Sequence, residues 1–206
     1  MRVSRSPPRD QETSAFTAIL AALLGRVGGA YACALVDGEG ETVDYCGDVD
    51  PFDVKVAAAH WTVVLSAVRD ATKLGEPSLV AVRGAKRSYV VHAMRDGYAL
   101  VLLLRRRVFT VPWRALSECE WALGKEAGWP DREGLAWHAV EVETDQRRRP
   151  TALCQEHNHE VTLLEVMGAV VGLGPRERGY RVRLGSGAEV TLVRESGGQW
   201  YVDDQT

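Results

Sequence analysis

One short segment of the sequence combines thiol and imidazole side chains at close spacing. Cys154, His157 and His159 stand in the order Cys-Gln-Glu-His-Asn-His. Thiolate and imidazole are groups that zinc prefers, and this spacing allows two or three ligands. No fourth ligand is evident in the sequence, so a solvated hairpin turn explains the segment better than a structural metal. We therefore predict no metal and no cofactor.

Two arginine runs and two histidines are the other candidates for chemistry. Arg105–Arg107 and Arg147–Arg149 could contact phosphate, but no aromatic residues interleave them, which favours solvated loop ends. His60 and His92 could act as bases, yet neither has a serine, cysteine or paired carboxylate at motif spacing. We interpret both histidines as packing residues, and we predict that the protein is not an enzyme.

The composition is that of an ordinary globular protein. The chain has 206 residues, of which 46% are hydrophobic and 26% charged, and its net charge is −3. This charge gives no reason to expect a nucleic acid or an anionic membrane as partner. The N-terminal sequence has no secretory pattern, and no apolar run reaches the length of a membrane span. Four scattered cysteines fit free thiols, so we expect a cytoplasmic protein.

A long helix, from Pro51 to Gly75, is the element around which the chain is organised. Asp50 is a suitable N-cap, Pro51 is tolerated in a first turn, and Gly75 suits the C-terminal end. Its apolar arc is roughly 220° wide, whereas packing on one sheet needs a stripe of about 100°. The helix should therefore bury two faces, the second against another copy or another part of the chain. The polar residues share the remaining arc: Lys55, Thr62, Ser66, Arg69 and Lys73.

The other elements predict an α+β domain over residues 11–128, after a disordered tail at residues 1–10. A helix begins at Gln11, and a second short helix follows Thr110 and ends at Gly128. The order α-β-β-α-β-β-β-α predicts an antiparallel five-strand sheet with one helix on one face and two on the other. The predicted strands are 30–36, 41–46, 77–82, 88–94 and 98–104.

The rest of the chain predicts a small all-β domain over residues 136–206, after a linker at 129–135. Its alternating segments are separated by polar and Gly-rich turns. The strand Tyr180-Arg-Val-Arg, the Gly turn and the strand containing Trp200-Tyr201 weakly resemble a small bacterial β domain of unknown function. The predicted strands are 136–144, 151–154, 160–166, 180–184, 188–194 and 199–202.

The segment from about Ser14 to Gly128 resembles the roadblock/dynein-light-chain family, which is close to the longin fold. The resemblance is carried by Gly29-Ala-Tyr-Ala-Cys-Ala-Leu-Val-Asp-Gly-Glu-Gly40, by the long helix, and by Arg95-Asp-Gly-Tyr-Ala-Leu-Val101. It implies a homodimer in which two sheets join edge to edge and two long helices lie side by side. The interface residues implied are Val56, His60, Val63, Ala67, Leu79, Val80, Ala81 and Val82.

The resemblance also implies a function. Bacterial members of the family bind a small Ras-like GTPase through their paired long helices, and some speed GTP hydrolysis by holding the GTPase's own switch region. The contact surface implied here is the polar arc of Lys55, Thr62, Ser66, Arg69 and Lys73. One alternative is a structural adaptor that docks its partners through the β domain. Another is an enzyme whose site includes Cys154, His157 and His159.

Overall fold

The computed structural model describes residues 9–71, 77–105, 113–129, 136–154, 161–174 and 176–204. Their contacts divide the chain into two compact units, and the division falls inside the third helix, between Trp121 and Ala122. The first unit contains a mixed helix and sheet fold, and the second contains a β-barrel. None of the helices that the structure describes combines the length and the hydropathy of a membrane span.

The first unit is built on one antiparallel sheet. Its strands are β1 (Ala30–Val36), β2 (Thr42–Gly47), β3 (Leu79–Arg83), β4 (Arg87–Ala93) and β5 (Ala99–Arg105). The strand order is β2-β1-β5-β4-β3, so β5 is central and β2 and β3 form the two edges. Every residue of β5 except the last is buried, so this strand is covered on both faces.

Helices α1 (Ala15–Arg26) and α2 (Pro51–Ala71) lie on opposite faces of the sheet. Tyr45 of β2 belongs to the core beneath α2, whereas Asp44 bonds to Ser14 and Thr17 at the start of α1. Because successive strand residues point to opposite faces, these contacts place the two helices on different sides. The α2 core contains Ala32, Ala34, Val36, Val54, Ala58, Leu65, Val91, Ala99, Val101 and Leu103.

Helix α1 begins at Ala15, four residues later than predicted. Ser14 is the N-cap and has an extended backbone, with φ −118° and ψ 178°. Its N–H donates to the hydroxyl oxygen of Thr17 at 2.9 Å. A residue with extended φ and ψ cannot continue a helix, so the predicted helical residues from Gln11 to Ser14 are not part of α1. Residues 72–76, where we predicted the end of α2, lie outside the described residues.

The second unit contains a six-strand closed barrel in which every neighbouring pair is antiparallel. Its strands are β6 (Ala136–Thr144), β7 (Pro150–Cys154), β8 (Val161–Val170), β9 (Arg178–Leu184), β10 (Glu189–Arg194) and β11 (Trp200–Asp204), paired in the order β10-β11-β6-β7-β8-β9. The interior is apolar and centres on Val140, Leu153, Val182, Leu192 and Trp200. The predicted small all-β domain is thus a barrel.

Helix α3 (Trp113–Glu126) contributes its first nine residues to the second unit. The guanidinium of Arg114 lies 3.0 Å from Glu177, 3.3 Å from Glu195 and 4.8 Å from the ring centre of Trp137. The predicted domain limits at residues 128 and 136 stay predictions, because a division by contacts does not test independent folding. Arg9 and Asp10, placed in the predicted tail, make specific side-chain contacts described below.

Candidate partner-binding surface

Helix α2 is fixed to the sheet by one narrow apolar face. The carboxylate of Asp50 accepts the N–H of Phe52 at 2.9 Å, so this residue caps the helix as predicted. The residues buried on the helix follow the 3.6-residue period and face the sheet. They are Pro51, Val54, Ala58, Thr62 and Leu65.

The opposite side of α2 carries large apolar residues that the chain leaves exposed. Phe52 is 72% exposed, Val56 51% and Val63 69%, and the intervening His60 and Ala67 are exposed as well. We call these five residues the outer stripe. At 100° per residue they lie roughly opposite Val54 and Leu65, so they point away from the sheet. Four of them were assigned to the dimer interface from the sequence, and that assignment stays a prediction.

The predicted polar arc is not exposed along its whole length. Thr62 is only 8% exposed, and its hydroxyl donates to the carbonyl of Ala58 at 3.1 Å. The turn between β1 and β2 covers Thr62, because Gly40 in this turn lies against Ala59 and Thr62. Gly40 has a φ of +88°. Thr62 therefore does not belong to an exposed contact surface. Lys55 and Arg69 are half-buried, Ser66 is exposed, and Lys73 lies outside the described residues.

Strand β3 supplies the second part of the predicted dimer interface. It is an edge strand whose side chains alternate in exposure: Leu79, Val80 and Val82 are half-buried, and Ala81 is exposed. Its register with β4 pairs Val80 with Val91 and Ala81 with Val90. An edge strand with one side free has main-chain groups available for another strand.

Aromatic rings connect the outer stripe to the sheet. His60 meets Trp61 edge-on at 5.7 Å, and Trp61 stacks at a tilt on Tyr89 of β4 at 4.7 Å. Asp53 and Arg87 form an ion pair at 3.5 Å beside them, with both side chains about half exposed. His92 is buried in β4, in agreement with a packing role. Such a surface offers packing and a polar rim, and its geometry supplies no assembled nucleophile and base.

The other candidates from the sequence do not assemble into a site within the described residues. Cys154 is half-buried at the end of β7, while His157 and His159 lie outside the described residues. Where the structure describes the chain, no three His, Cys, Asp or Glu side chains are placed to hold a metal ion. Arg147–Arg149 lie in an exposed turn, where the Asp145 carboxylate accepts N–H groups from Arg147 and Arg149 at 2.8 Å.

Two cysteines that are scattered in the sequence face each other in the sheet. Cys33 and Cys46 are direct partners in the register of β1 and β2, and both are buried. Burial raises the pKa of the Cys46 thiol to about 11, and the nearby Asp44 charge adds to this. A thiol with so high a pKa is a poor nucleophile at neutral pH. The two cysteines serve as apolar packing beneath α1. The register of β1 and β2 brings them together, and their spacing in the sequence does not reveal this.

A polar cluster at the start of α1 was also missed in the sequence. Asp44 is 1% exposed and accepts bonds from the hydroxyls of Ser14 and Thr17, both at 2.6 Å, and from the guanidinium of Arg9. Burial raises the pKa of Asp44, but these donors outweigh burial and hold its pKa below the ordinary value. The partners stand about thirty residues apart in sequence, so no local pattern reveals them.

Comparison with known proteins finds likeness in structure. No protein-family model matches the sequence, and no curated protein matches it significantly. Among solved structures, a roadblock/LC7 domain from Streptomyces avermitilis is similar to 45% of this chain over 80% of its own length, with 22% identity and a TM-score of 0.42. MglB from Myxococcus xanthus covers 57% of this chain and 98% of its own, with 17% identity and a TM-score of 0.47.

The gliding protein MglB from Thermus thermophilus is similar to 57% of this chain over 94% of its own length, with 16% identity and a TM-score of 0.45. At these identities the likeness is one of fold, and it covers about half of the chain. The element order and the five-strand sheet described above are those predicted from the sequence for the segment that resembles the roadblock family. Part of this chain is thus similar to roadblock/LC7 and MglB structures.

Proposed function

We propose that this chain is a dimeric, non-enzymatic regulator that binds a small Ras-like GTPase. The observation that carries the proposal is the outer stripe of α2. Three large apolar side chains, Phe52, Val56 and Val63, are left open on one side of one helix. Contiguous exposed apolar residues of this kind mark an interaction surface more often than a solvated one.

A second copy of the chain is the partner that fits the outer stripe. The stripe has no Asp, Glu, Lys or Arg among its five residues, as a helix-to-helix contact requires. Burying three such side chains would contribute on the order of 5 kcal/mol before the costs of association. The exposed edge of β3 offers main-chain groups for a second contact between the same two copies.

The GTPase part of the proposal comes from the roadblock resemblance in the sequence. In that family the paired long helices form the surface that the GTPase meets. Of the polar residues of α2 beside the outer stripe, Ser66 is exposed in this chain, and Lys55 and Arg69 are half-buried. Stimulation of GTP hydrolysis would follow from binding and needs a separate assay.

The dimer is tested by placing a charge in the outer stripe. Val63→Glu should give a monomer by light scattering after gel filtration, whereas the wild type should be a dimer, because an ionised carboxylate cannot be buried unpaired between two helices. Val171→Glu is the matched control, since Val171 is 89% exposed and belongs to the other unit. A soluble Val63→Glu dimer would show that the outer stripe is not the interface.

The GTPase is tested by pull-down from host lysate with the tagged chain, in the presence of a GTP analogue or GDP. We expect a small GTPase to be retained preferentially with one nucleotide. Ser66→Arg should keep the dimer and lose this partner, because Ser66 is exposed beside the outer stripe. If Ser66→Arg keeps the partner at wild-type yield, the GTPase contact lies elsewhere. If no GTPase is retained with either nucleotide, the proposal fails.

One observation favours the alternative of a structural adaptor. The barrel exposes several apolar side chains on β8 and just after it: Leu163 is 75% exposed, Met167 45% and Val171 89%. If the barrel is a docking unit, the pull-down should retain a larger partner whatever the nucleotide. Leu163→Glu should then remove that partner, and Val63→Glu should not.

A further inference from the structure

The two edges of the five-strand sheet differ in the surroundings of the main-chain N–H and C=O groups that point away from the sheet. At the two ends of β3, the carbonyl of Ser78 accepts the N–H of Ala93, and the N–H of Gly84 donates to the carbonyl of Arg87, both at 2.9 Å. Because antiparallel pairs alternate, Leu79, Ala81 and Arg83 turn their N–H and C=O groups away from β4. This edge has the form that accepts another strand.

At the β2 edge, three main-chain groups of Val43 and Tyr45 already have side-chain partners. The carbonyl of Tyr45 accepts a bond from the guanidinium of Arg9. The carbonyl of Val43 accepts from the amide of Gln11 at 3.5 Å, and the N–H of Tyr45 donates to the Asp44 carboxylate at 2.7 Å. The register also shifts between Leu35 and Val36, which sets Val43 apart in a bulge. Bulges and charged groups are the means by which proteins block sheet edges.

Two of these three partners, those of the Tyr45 and Val43 carbonyls, come from residues 9–14, which we call the strap. It is not a strand, and side chains hold it in place. Arg9 and Gln11 bond to Asp44, Gln11 at 2.9 Å. Asp10 accepts from Lys55 at 2.8 Å and from the hydroxyl of Tyr45 at 2.8 Å. Since the side chains of Asp10 and Lys55 are 46% and 38% exposed, their ion pair contributes little, and the strap is held mainly at Arg9 and Gln11.

We propose that the strap closes the β2 edge against strand addition by a second copy of this chain, so that pairing through sheet edges is confined to β3. A two-edged sheet with both edges open can add copies at each end and grow without limit, whereas one open edge allows only a closed pair. Releasing the strap opens the β2 edge, and the occupant it then admits is the β2 strand of another copy.

The test is the double variant Arg9→Ala/Gln11→Ala in the full chain, measured by analytical ultracentrifugation over a range of concentrations. We expect a species with at least double the mass of the wild-type species, and its share should grow with concentration. Asp10→Asn is the matched control: it weakens the strap at Lys55 and Tyr45 but leaves both β2 carbonyls covered, so its mass should equal that of the wild type. An unchanged mass for the folded double variant overturns the proposal.

A third variant distinguishes strand pairing at the β2 edge from non-specific association. Adding Val43→Lys to the double variant places a lysine, a common natural edge blocker, on the exposed side of the bulge, and the mass should return to the wild-type value. Persistence of the larger species in this triple variant also overturns the proposal. If circular dichroism shows that the double variant is unfolded at the assay temperature, Gln11→Ala alone replaces it, because this variant keeps the Arg9–Asp44 pair. A larger mass again supports the proposal, and an unchanged mass overturns it.

The result is independent of the proposed GTPase function. The strap is judged by the increase in mass over the wild type, whether the wild type is a monomer or a dimer. A monomeric wild type would contradict the proposed dimer, and an unchanged double variant would contradict the strap.

Discussion

Two buried carboxylates, one in each unit, lie beside an arginine, yet their pKa values move in opposite directions. Asp44 is 1% exposed and Glu195 8% exposed, and burial by itself raises the pKa of each. For Asp44 the hydrogen bonds from Ser14, Thr17 and Arg9 more than offset burial, so its pKa is lowered. For Glu195 the bonds from Arg114 do not offset burial, and its pKa is raised.

The two pKa values move in opposite directions because Asp44 and Glu195 differ in how many hydrogen-bond donors they have and in whether a donor is shared with another carboxylate. Asp44 accepts two hydroxyls, a side-chain amide, a main-chain N–H and a guanidinium. Glu195 accepts from the main-chain N–H and the guanidinium of Arg114, and Glu177 draws on the same guanidinium at 3.0 Å. An arginine shared by two carboxylates stabilises each charge less than several donors devoted to one. The arginine in the barrel unit should therefore matter more, since less would remain after its loss.

Arg114→Met should have the largest effect. It leaves Glu177 and Glu195 facing each other without their common cation, and breaking a buried ion pair in this way costs roughly 3–5 kcal/mol. Hydrogen exchange with mass spectrometry, read on peptides of β10 and β11, should report lost protection at pH 7. Protection should recover in part at lower pH, because Glu195 without Arg114 takes up a proton more readily.

Arg181→Met is the control for this change. Arg181 is 66% exposed and pairs with Glu189 at 3.2 Å on the surface of the same unit. A surface pair contributes at most about 1 kcal/mol, so protection in β10 and β11 should hardly change. Equal losses from both variants would mean that the burial of the Arg114 cluster has no energetic consequence.

Arg9→Met should have a smaller effect than Arg114→Met, although Arg9 makes more contacts. Asp44 would keep Ser14, Thr17 and Gln11 as donors, so the loss at this carboxylate is that of one hydrogen bond to a charged group, roughly 2 kcal/mol. It should appear as lost protection in β2 and the first turn of α1. A loss larger than that of Arg114→Met would reverse the comparison and show that the arginine, and not the set of hydroxyls, stabilises Asp44.

The sequence predicted the elements of the fold well and their ends less well. The apolar period of α2, its Asp50 cap and the alternation of the strands are local, and each appears in the structure. The predicted start of α1 at Gln11 was wrong because Ser14, which has an extended backbone, is the N-cap. Closure of the barrel was not predicted, since it depends on which strands pair across long sequence separations, such as β6 with β11.

In the candidate site, too, local patterns were predicted from the sequence and contacts between distant segments were not. The width of the apolar arc on α2 predicted a second apolar face, and the outer stripe is that face in this chain. Thr62 was misplaced because a helical wheel does not show what else packs on the helix, here the turn at Gly40. The Asp44 cluster was missed because its members come from the N-terminal segment, α1 and β2, and only the fold brings them together.

The pH dependence of the wild type should show the same contrast, with the smallest effects. Asp44 has a folded pKa below the ordinary value of 3.8, so its stabilisation is complete above that pH and is lost as the pH falls through the folded pKa. Glu195 has a folded pKa above the ordinary value of 4.5, so its unit should gain stability as the pH falls from neutral towards 4.5.

Hydrogen exchange corrected for intrinsic rates should therefore show rising protection in β10 between pH 7 and 4.5, and falling protection in β2 only below pH 3.8. Glu195→Gln should remove the first response and Asp44→Asn the second, each without altering the other, because they lie in different units. If Glu195→Gln leaves the rise in β10 unchanged, another group titrates there, and the contrast between the two carboxylates does not govern the stability of the units.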